Sequence, residues 1–269
     1  MLGLRPVRVC DACLRRVQAL NQEQESLCSR CGDALGMESA RFAAAMGMSE
    51  CTSCRMSSPA FTRAVAFAVY DLEMREMLHV LKFGGVRRVA EHVLGEWMAA
   101  AILKLEQDAA ADLIVIPVPL FKARERERGY NQADLLARAA ARRLRKLRPG
   151  WKLEVKAGIL LRVRDTRPLF ALRPDQRRRN MVGAFRVEDG SAIRGREILL
   201  VDDILTTGAT ANQCAKVLLK AGASKVWVAT VARAQPESAL AVAQDVARWG
   251  ETVSVKEPIT MEAGQGRQF

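Results

Sequence analysis

Thirteen consecutive residues hold most of the chemistry this sequence can do. Ile198, Leu199, Leu200 and Val201 form a short apolar run of the kind that makes a buried parallel strand. Asp202 and Asp203 follow at its carboxyl end, and Ile204 and Leu205 then lead into Thr206-Thr207-Gly208-Ala209-Thr210. Thr210 is the expected N-cap of a helix over 211–221, which stops at Gly222. A strand, a hydroxyl- and glycine-rich turn and a helix N-terminus together aim backbone N–H groups and the helix dipole at an anion. Carboxylates beside such a turn are placed to hold sugar hydroxyls, so the combination suits a ribose 5-phosphate. A buried strand with a polar turn and no ligand is the competing reading, and it leaves the whole pattern to coincidence.

A second chemistry lies in the cysteines. Six of the seven fall in three Cys-x-x-Cys pairs, Cys10/Cys13, Cys28/Cys31 and Cys51/Cys54, with gaps of 14 and 19 residues between pairs. Four thiolates from two such turns make a tetrahedral cage for zinc, and the metal fixes a segment too small for a core of its own. The first gap is close to zinc-ribbon spacing, so Cys10, Cys13, Cys28 and Cys31 are the expected ligands of a structural zinc. Cys28, Cys31, Cys51 and Cys54 are the alternative set, because both spacings are feasible. Arg30 and Gly32 fit the knuckle turn between ligands. Cys214 reads as a small buried residue.

The segment Ile198–Thr210 resembles, position by position, the signature of type I phosphoribosyltransferases, which bind phosphoribosyl pyrophosphate (PRPP). The resemblance implies that Asp202 and Asp203 contact the ribose hydroxyls and that Thr206, Thr207, Gly208, Ala209 and Thr210 hold the 5-phosphate. It also implies Mg(2+) bound with PRPP. The family's pyrophosphate turn falls at Pro117–Leu120, with Pro117 and Val118 as candidate contacts and Lys122 and Arg124 just beyond, although Pro117 and Pro119 remove backbone donors there. Its mobile catalytic loop falls on the arginine-rich stretch 162–180. There Arg178 and Arg179 are the candidates for screening a departing pyrophosphate without any proton transfer.

Composition agrees with a soluble α/β protein. The chain has 269 residues, is 49% hydrophobic and carries a net charge of +12. No run approaches the ~20 apolar residues of a membrane span. The N-terminus has no apolar signal segment, so the expected location is the cytoplasm, with any contact at the inner face of the membrane made through partners. Lys122–Arg148 has ten Lys/Arg against three Asp/Glu, and Arg162–Arg179 has seven Arg against two Asp. Such concentrated charge implies an anionic partner, and single-stranded DNA is the leading candidate. Arg142, Arg143, Arg145 and Arg177 are its expected contacts, against the plain reading of a solvated helix face. Aromatic residues are only 5%, which argues against extensive base stacking. His79 and His92 lack a nucleophile partner and are read as non-catalytic.

The elements that must position these residues alternate. Strands are expected over 64–69, 113–118, 152–155, 158–163, 184–187, 198–201 and 226–231, and helices over 71–82, 87–105, 130–148 and 236–249. This order predicts a mainly parallel sheet flanked by helices, with ligands at the strands' carboxyl ends. The expected organisation is a cysteine-rich module over 1–58, an α/β domain over 59–235, and a C-terminal helix and polar tail over 236–269.

Three further segments sharpen the family. They are Leu81-Lys82-Phe83 before Gly84-Gly85, Ile116–Leu120 followed by Arg124–Ala133 with its Arg128-Gly129-Tyr130-Asn131, and Arg162–Pro168 followed by Arg178–Phe185. With a cysteine module ahead of the PRPP motif, over roughly 8–233, the chain resembles the ComF family of bacterial competence proteins. That resemblance implies a type I phosphoribosyltransferase-like domain fused to an N-terminal zinc finger, and a role in DNA uptake or DNA metabolism. A helicase of the ComF type and a DNA-processing protein are the implied protein partners. The expected activity is pentosyl transfer from PRPP to an acceptor that the sequence does not name. The alternatives are a non-catalytic single-stranded DNA-binding module on the same fold and a nucleotide-gated regulator.

Overall fold

The computed structural model describes residues 11–20, 26–35, 40–41, 45–83, 89–166, 176 and 180–235. Cys10, Arg177, Arg178, Arg179 and the helix and tail expected after 236 lie outside them. Five parallel strands form the main sheet: β1 (Arg63–Val69), β2 (Asp112–Pro117), β3 (Lys152–Val155), β6 (Glu197–Leu205) and β7 (Lys225–Arg233), in the order β1-β7-β6-β2-β3. Two short strands, β4 (Leu160–Arg162) and β5 (Phe185–Val187), pair antiparallel beside it. They bracket the arginine-rich segment. The expected mainly parallel sheet is therefore present.

Alternation along β6 separates two apolar layers, as period-2 geometry requires. Leu199 and Val201 pack with Val115, Ala229, Leu78, Met98 and Leu136. That layer is covered by α3 (Leu72–Phe83), α4 (Gly95–Leu103) and α6 (Gln132–Leu147). Ile198 and Leu200 pack with Ile116, Val228, Cys214 and Leu218 on the opposite layer, under α7 (Ala209–Lys220). Both faces of a parallel sheet are thus buried, which explains its near-continuous apolar strands. Asp71 caps α3 by accepting from the Met74 N–H at 2.8 Å.

The short helices α1 (Asp11–Arg16) and α2 (Thr52–Met56) belong to the N-terminal part. Residues 18–20 run antiparallel along β1, with the Leu20 N–H donating to the Phe67 carbonyl at 2.8 Å. This covers a sheet edge that would otherwise offer unpaired backbone groups. The remaining helix, α5 (Lys122–Arg128), was not expected from the sequence and has no buried residue. Among the described residues no helix is long and apolar enough to cross a membrane.

Candidate phosphate and metal sites

β6 does not stop at Val201. β7 continues beside it, pairing Asp202 with Thr230 and Leu205 with Arg233, so the acids lie inside the strand's last turns. Asp203 is buried and Asp202 half-buried. The Asp203 N–H donates to Asp202 Oδ1 at 2.9 Å. Lys82, at the end of α3, forms an ion pair with Asp203. Burial works against charge on Asp203 and is opposed first by the Lys82 ammonium. Together with the Asp202 hydrogen bond and Arg128, that ammonium holds the Asp203 carboxyl below the usual carboxylate range. Asp202 moves the other way. Burial, and then the Asp203 charge, push it well above that range. One acid of the pair is thereby held charged and its neighbour inclined to keep a proton.

Cations converge on this pair from separate elements. Arg128 ends α5, and burial lowers its pKa against the field of Asp203. The Gly129-Tyr130-Asn131 turn sets its direction. Gly129 ends α5 in a left-handed conformation, and the Tyr130 hydroxyl donates to the Leu81 carbonyl next to Lys82. Asn131 caps α6 by accepting from Ala133 N–H at 3.0 Å, and its amide donates to the Val118 carbonyl at 3.0 Å. Arg162 comes from β4. Burial and the like charge of Arg124 lower its pKa, while Asp202 opposes them. Its Nε is buried with no hydrogen-bond partner among the described residues. Arg124 donates to the Thr166 carbonyl at 3.1 Å and lies 3.5 Å from Asp165.

The turn after β6 takes the expected path with one correction. The helix cap is Gly208 rather than Thr210, and α7 begins at Ala209. Gly208 has φ of 72°, which an L side chain adopts only with strain. Thr206 and Thr210 are half-buried and Thr207 is exposed. Pro117 and Val118 are both buried, and the Val118 N–H donates to the Val201 carbonyl at 2.9 Å. That donor is consumed by the sheet, and Pro117 has none. The backbone donation to pyrophosphate implied for these two residues is therefore not available.

The metal set is also corrected. The Sγ atoms of Cys28, Cys31, Cys51 and Cys54 lie within 4.8 Å of one another, with Cys31 and Cys51 at 3.7 Å. Two sulfurs on one tetrahedral zinc, each ~2.3 Å from it, stand about 3.8 Å apart, so the donor set fits a structural zinc. Four thiols complete such a sphere, and among the described residues this is the set that comes together. Cys10 is outside the described residues, and Cys13 lies on α1. The Cys51 N–H donates to Cys28 Sγ at 3.2 Å, and hydrogen bonds from Cys31 and Cys54 hold the Cys28 thiol well below its ordinary range. Ser49 and Glu50 bring the third pair to the second. The Ser29 N–H donates to the Ser49 carbonyl at 2.8 Å, and Arg30 pairs with Glu50 at 3.0 Å. Gly32 has φ of 67°, and a Cβ there would stand 3.1 Å from the Ala64 carbonyl oxygen, so any larger residue would strain the knuckle's seat against β1.

Of the residues expected to meet nucleic acid, Arg142 and Arg145 line a groove of about 510 Å³ with Arg138, Trp151 and Lys152, between α6 and the edge strand β3. Arg143 turns away from it and pairs with Glu96 at 2.7 Å. Lys82, Arg128 and Arg162 had no individual role in the sequence reading. The motifs around them were visible, but not their convergence. His79 is half-buried and His92 exposed, on α3 and on the π-helical turn Ala90–Leu94.

A parallel sheet carrying an acid pair, a glycine-capped turn and a helix N-terminus defines a phosphoribosyltransferase-like domain. The family described as "Phosphoribosyl transferase domain" matches residues 135–257. The chain is 30% identical over 222 residues to the DNA utilization protein YhgH of Escherichia coli O157:H7, covering 82% of this chain and 88% of that one. It is 27% identical over 230 residues to Competence protein F of Haemophilus influenzae, covering 84% and 90%. Competence protein ComFC of Bacillus subtilis is 29% identical over 153 residues, covering 57% and 56%. The chain belongs to the ComF family of phosphoribosyltransferase-like proteins.

Proposed function

We propose that the protein binds PRPP, or a closely related phosphoribosyl ligand, at the carboxyl end of β6 and acts in DNA uptake or DNA use. The observation that carries this reading is the acid pair Asp202/Asp203 beside the Thr206–Thr210 turn, with Lys82, Arg128 and Arg162 converging on it. The turn's N–H groups and the α7 dipole suit the 5-phosphate. The carboxylates suit the ribose hydroxyls and a hard, oxygen-seeking cation such as Mg(2+). Magnesium bound with the pyrophosphate supplies charge neutralisation. Arg162 and Arg128, crowded by burial and by neighbouring cations, gain from an anion between them. As C1 of the ribose transfers to an acceptor, these cations stabilise negative charge on the leaving pyrophosphate without exchanging a proton. Arg178 and Arg179, outside the described residues, are assigned the same role from the family resemblance.

Names of relatives, DNA utilization protein and competence proteins, favour DNA as the setting. The basic groove at Arg138, Arg142, Arg145 and Lys152 supports a second reading in which single-stranded DNA lies along α6, with or without transfer chemistry. Calorimetry with Mg-PRPP tests the first reading. Wild type is expected to bind, Asp202→Asn with Asp203→Asn to lose binding while remaining folded, and Gly208→Val to lose it by distorting the turn. Absence of wild-type binding at millimolar Mg-PRPP rejects the reading.

A further inference from the structure

Arg233, the last residue of β7, is a buried arginine that belongs to neither of the sites above. It is 6% exposed and spans the space between them. Toward the turn, its Nη1 donates to the carbonyl oxygens of Leu205, at 3.1 Å, and of Thr206. Toward the knuckle, its Nε donates to the Cys31 carbonyl at 3.2 Å. Its Nη2 lies 3.4 Å from Asp33 Oδ2 and 4.0 Å from Cys31 Sγ. One rigid guanidinium thus joins a cysteine of the metal cluster to the first peptide groups of the phosphate turn.

The peptide geometry gives this contact a direction. In a trans peptide the carbonyl oxygen and the following N–H point opposite ways. The guanidinium, with the Ala234 N–H that also donates to the Leu205 carbonyl at 3.0 Å, holds the Leu205 and Thr206 carbonyls on one side and so turns the Thr206 and Thr207 N–H groups to the other. Those donors open the anion turn. The knuckle is the fixed end of the strut only while its fold is held, and in so small a module that hold comes from the metal. We propose that Arg233 is a positioning residue that couples metal occupancy of the Cys28/Cys31/Cys51/Cys54 cluster to the order, and hence the phosphate affinity, of the Thr206–Ala209 turn. The affinity part rests on the phosphoribosyl reading above; the ordering part does not.

The test uses full-length protein with zinc bound and after zinc removal by a chelator. Amide hydrogen exchange is followed at residues 206–209, with α6 as an internal control of the fold. Ribose 5-phosphate affinity is measured by calorimetry on the same samples. Removing zinc is expected to speed exchange at 206–209 and to weaken ribose 5-phosphate about tenfold, within the ordinary range of coupling between sites. By reciprocity, ribose 5-phosphate tightens zinc binding by the same factor, read in competition with the chelator. Arg233→Lys keeps the charge but loses the fork. It is expected to retain zinc, yet to show fast exchange at 206–209 that no longer responds to the metal. If zinc removal loosens residues 28–33 but leaves 206–209 unchanged in wild type, the coupling is refuted. If 206–209 responds but ribose 5-phosphate does not bind with zinc present, the phosphoribosyl reading fails and the strut stands.

Discussion

Lys82 and Asp203 join the end of α3 to the end of β6 through an ion pair in which the carboxylate is 5% exposed and the ammonium 25%. The pair sits in the last turn of α3, so it fixes an acid of the site. Removing one partner leaves a buried charge uncompensated, at a cost of about 3 kcal/mol, the lower part of the range for buried pairs because Lys82 keeps some solvent. Lys82→Met is therefore expected to lower stability in urea by that amount. Lys82→Met with Asp203→Asn should recover most of it. Equal losses in the single and double variants would show that Lys82 acts through packing alone.

Asp202 carries the opposite shift, and its sign can be tested. A raised carboxyl pKa adds stability below the unfolded value and loses it as pH rises through the folded value. At neutral pH the charged form is a cost that a neutral amide avoids. Asp202→Asn is expected to raise the thermal midpoint of the ligand-free protein by a few degrees near pH 7.5, and the gain should vanish near pH 3, where aspartate is protonated in both states. The same variant should lose Mg-PRPP binding. A midpoint difference that is unchanged between the two pH values would mean that Asp202 is not held protonated by its surroundings.

The metal pairing separates two cysteine sets that the sequence left open. Elemental analysis is expected to find one zinc per chain. Cys51→Ser and Cys54→Ser should each lose it and speed proteolysis of the N-terminal ~60 residues, since metal binding supplies folding energy there. Cys10→Ser and Cys13→Ser should keep it. Zinc loss in the latter pair, with zinc retained by Cys51→Ser, would restore the ribbon set.

What was legible in the sequence was local. The β6 strand and its turn were readable because an apolar run, two acids and a glycine turn are contiguous, and the sheet class followed from alternating strands and helices. Less local features were hidden. The cysteine set depended on Ser49 and Glu50 reaching Ser29 and Arg30, a fold-back that ligand spacing alone does not specify. Helix α5 escaped because alternating Arg and Glu with no buried residue leave no apolar stripe. The end of β6 was placed too early because its partner, β7, continues to Arg233 and carries the pairing past the acids. Lys82 meets Asp203 from α3, and Arg233 meets the carbonyls of Leu205 and Thr206 from β7; the strand order β1-β7-β6 sets these distant segments side by side.

The basic groove gives the last prediction. Arg138, Arg142 and Arg145 recur at helical spacing on one face of α6, and Lys152 adds a charge from β3. Arg143 lies between them in sequence but is engaged by Glu96 on α4. Single-stranded DNA in this groove would release counterions, so affinity should fall steeply with salt. Arg142→Glu with Arg145→Glu is expected to weaken binding and flatten the slope of log affinity against log salt, by on the order of 0.7 for each phosphate that is no longer neutralised. Arg143→Glu should change the slope little. Mg-PRPP affinity should be unchanged in both variants, because none of the three arginines contacts the acid pair. Fluorescence anisotropy with a labelled oligonucleotide at several salt concentrations decides the matter. Equal effects from Arg143→Glu and the double variant would assign the attraction to net charge rather than to this groove.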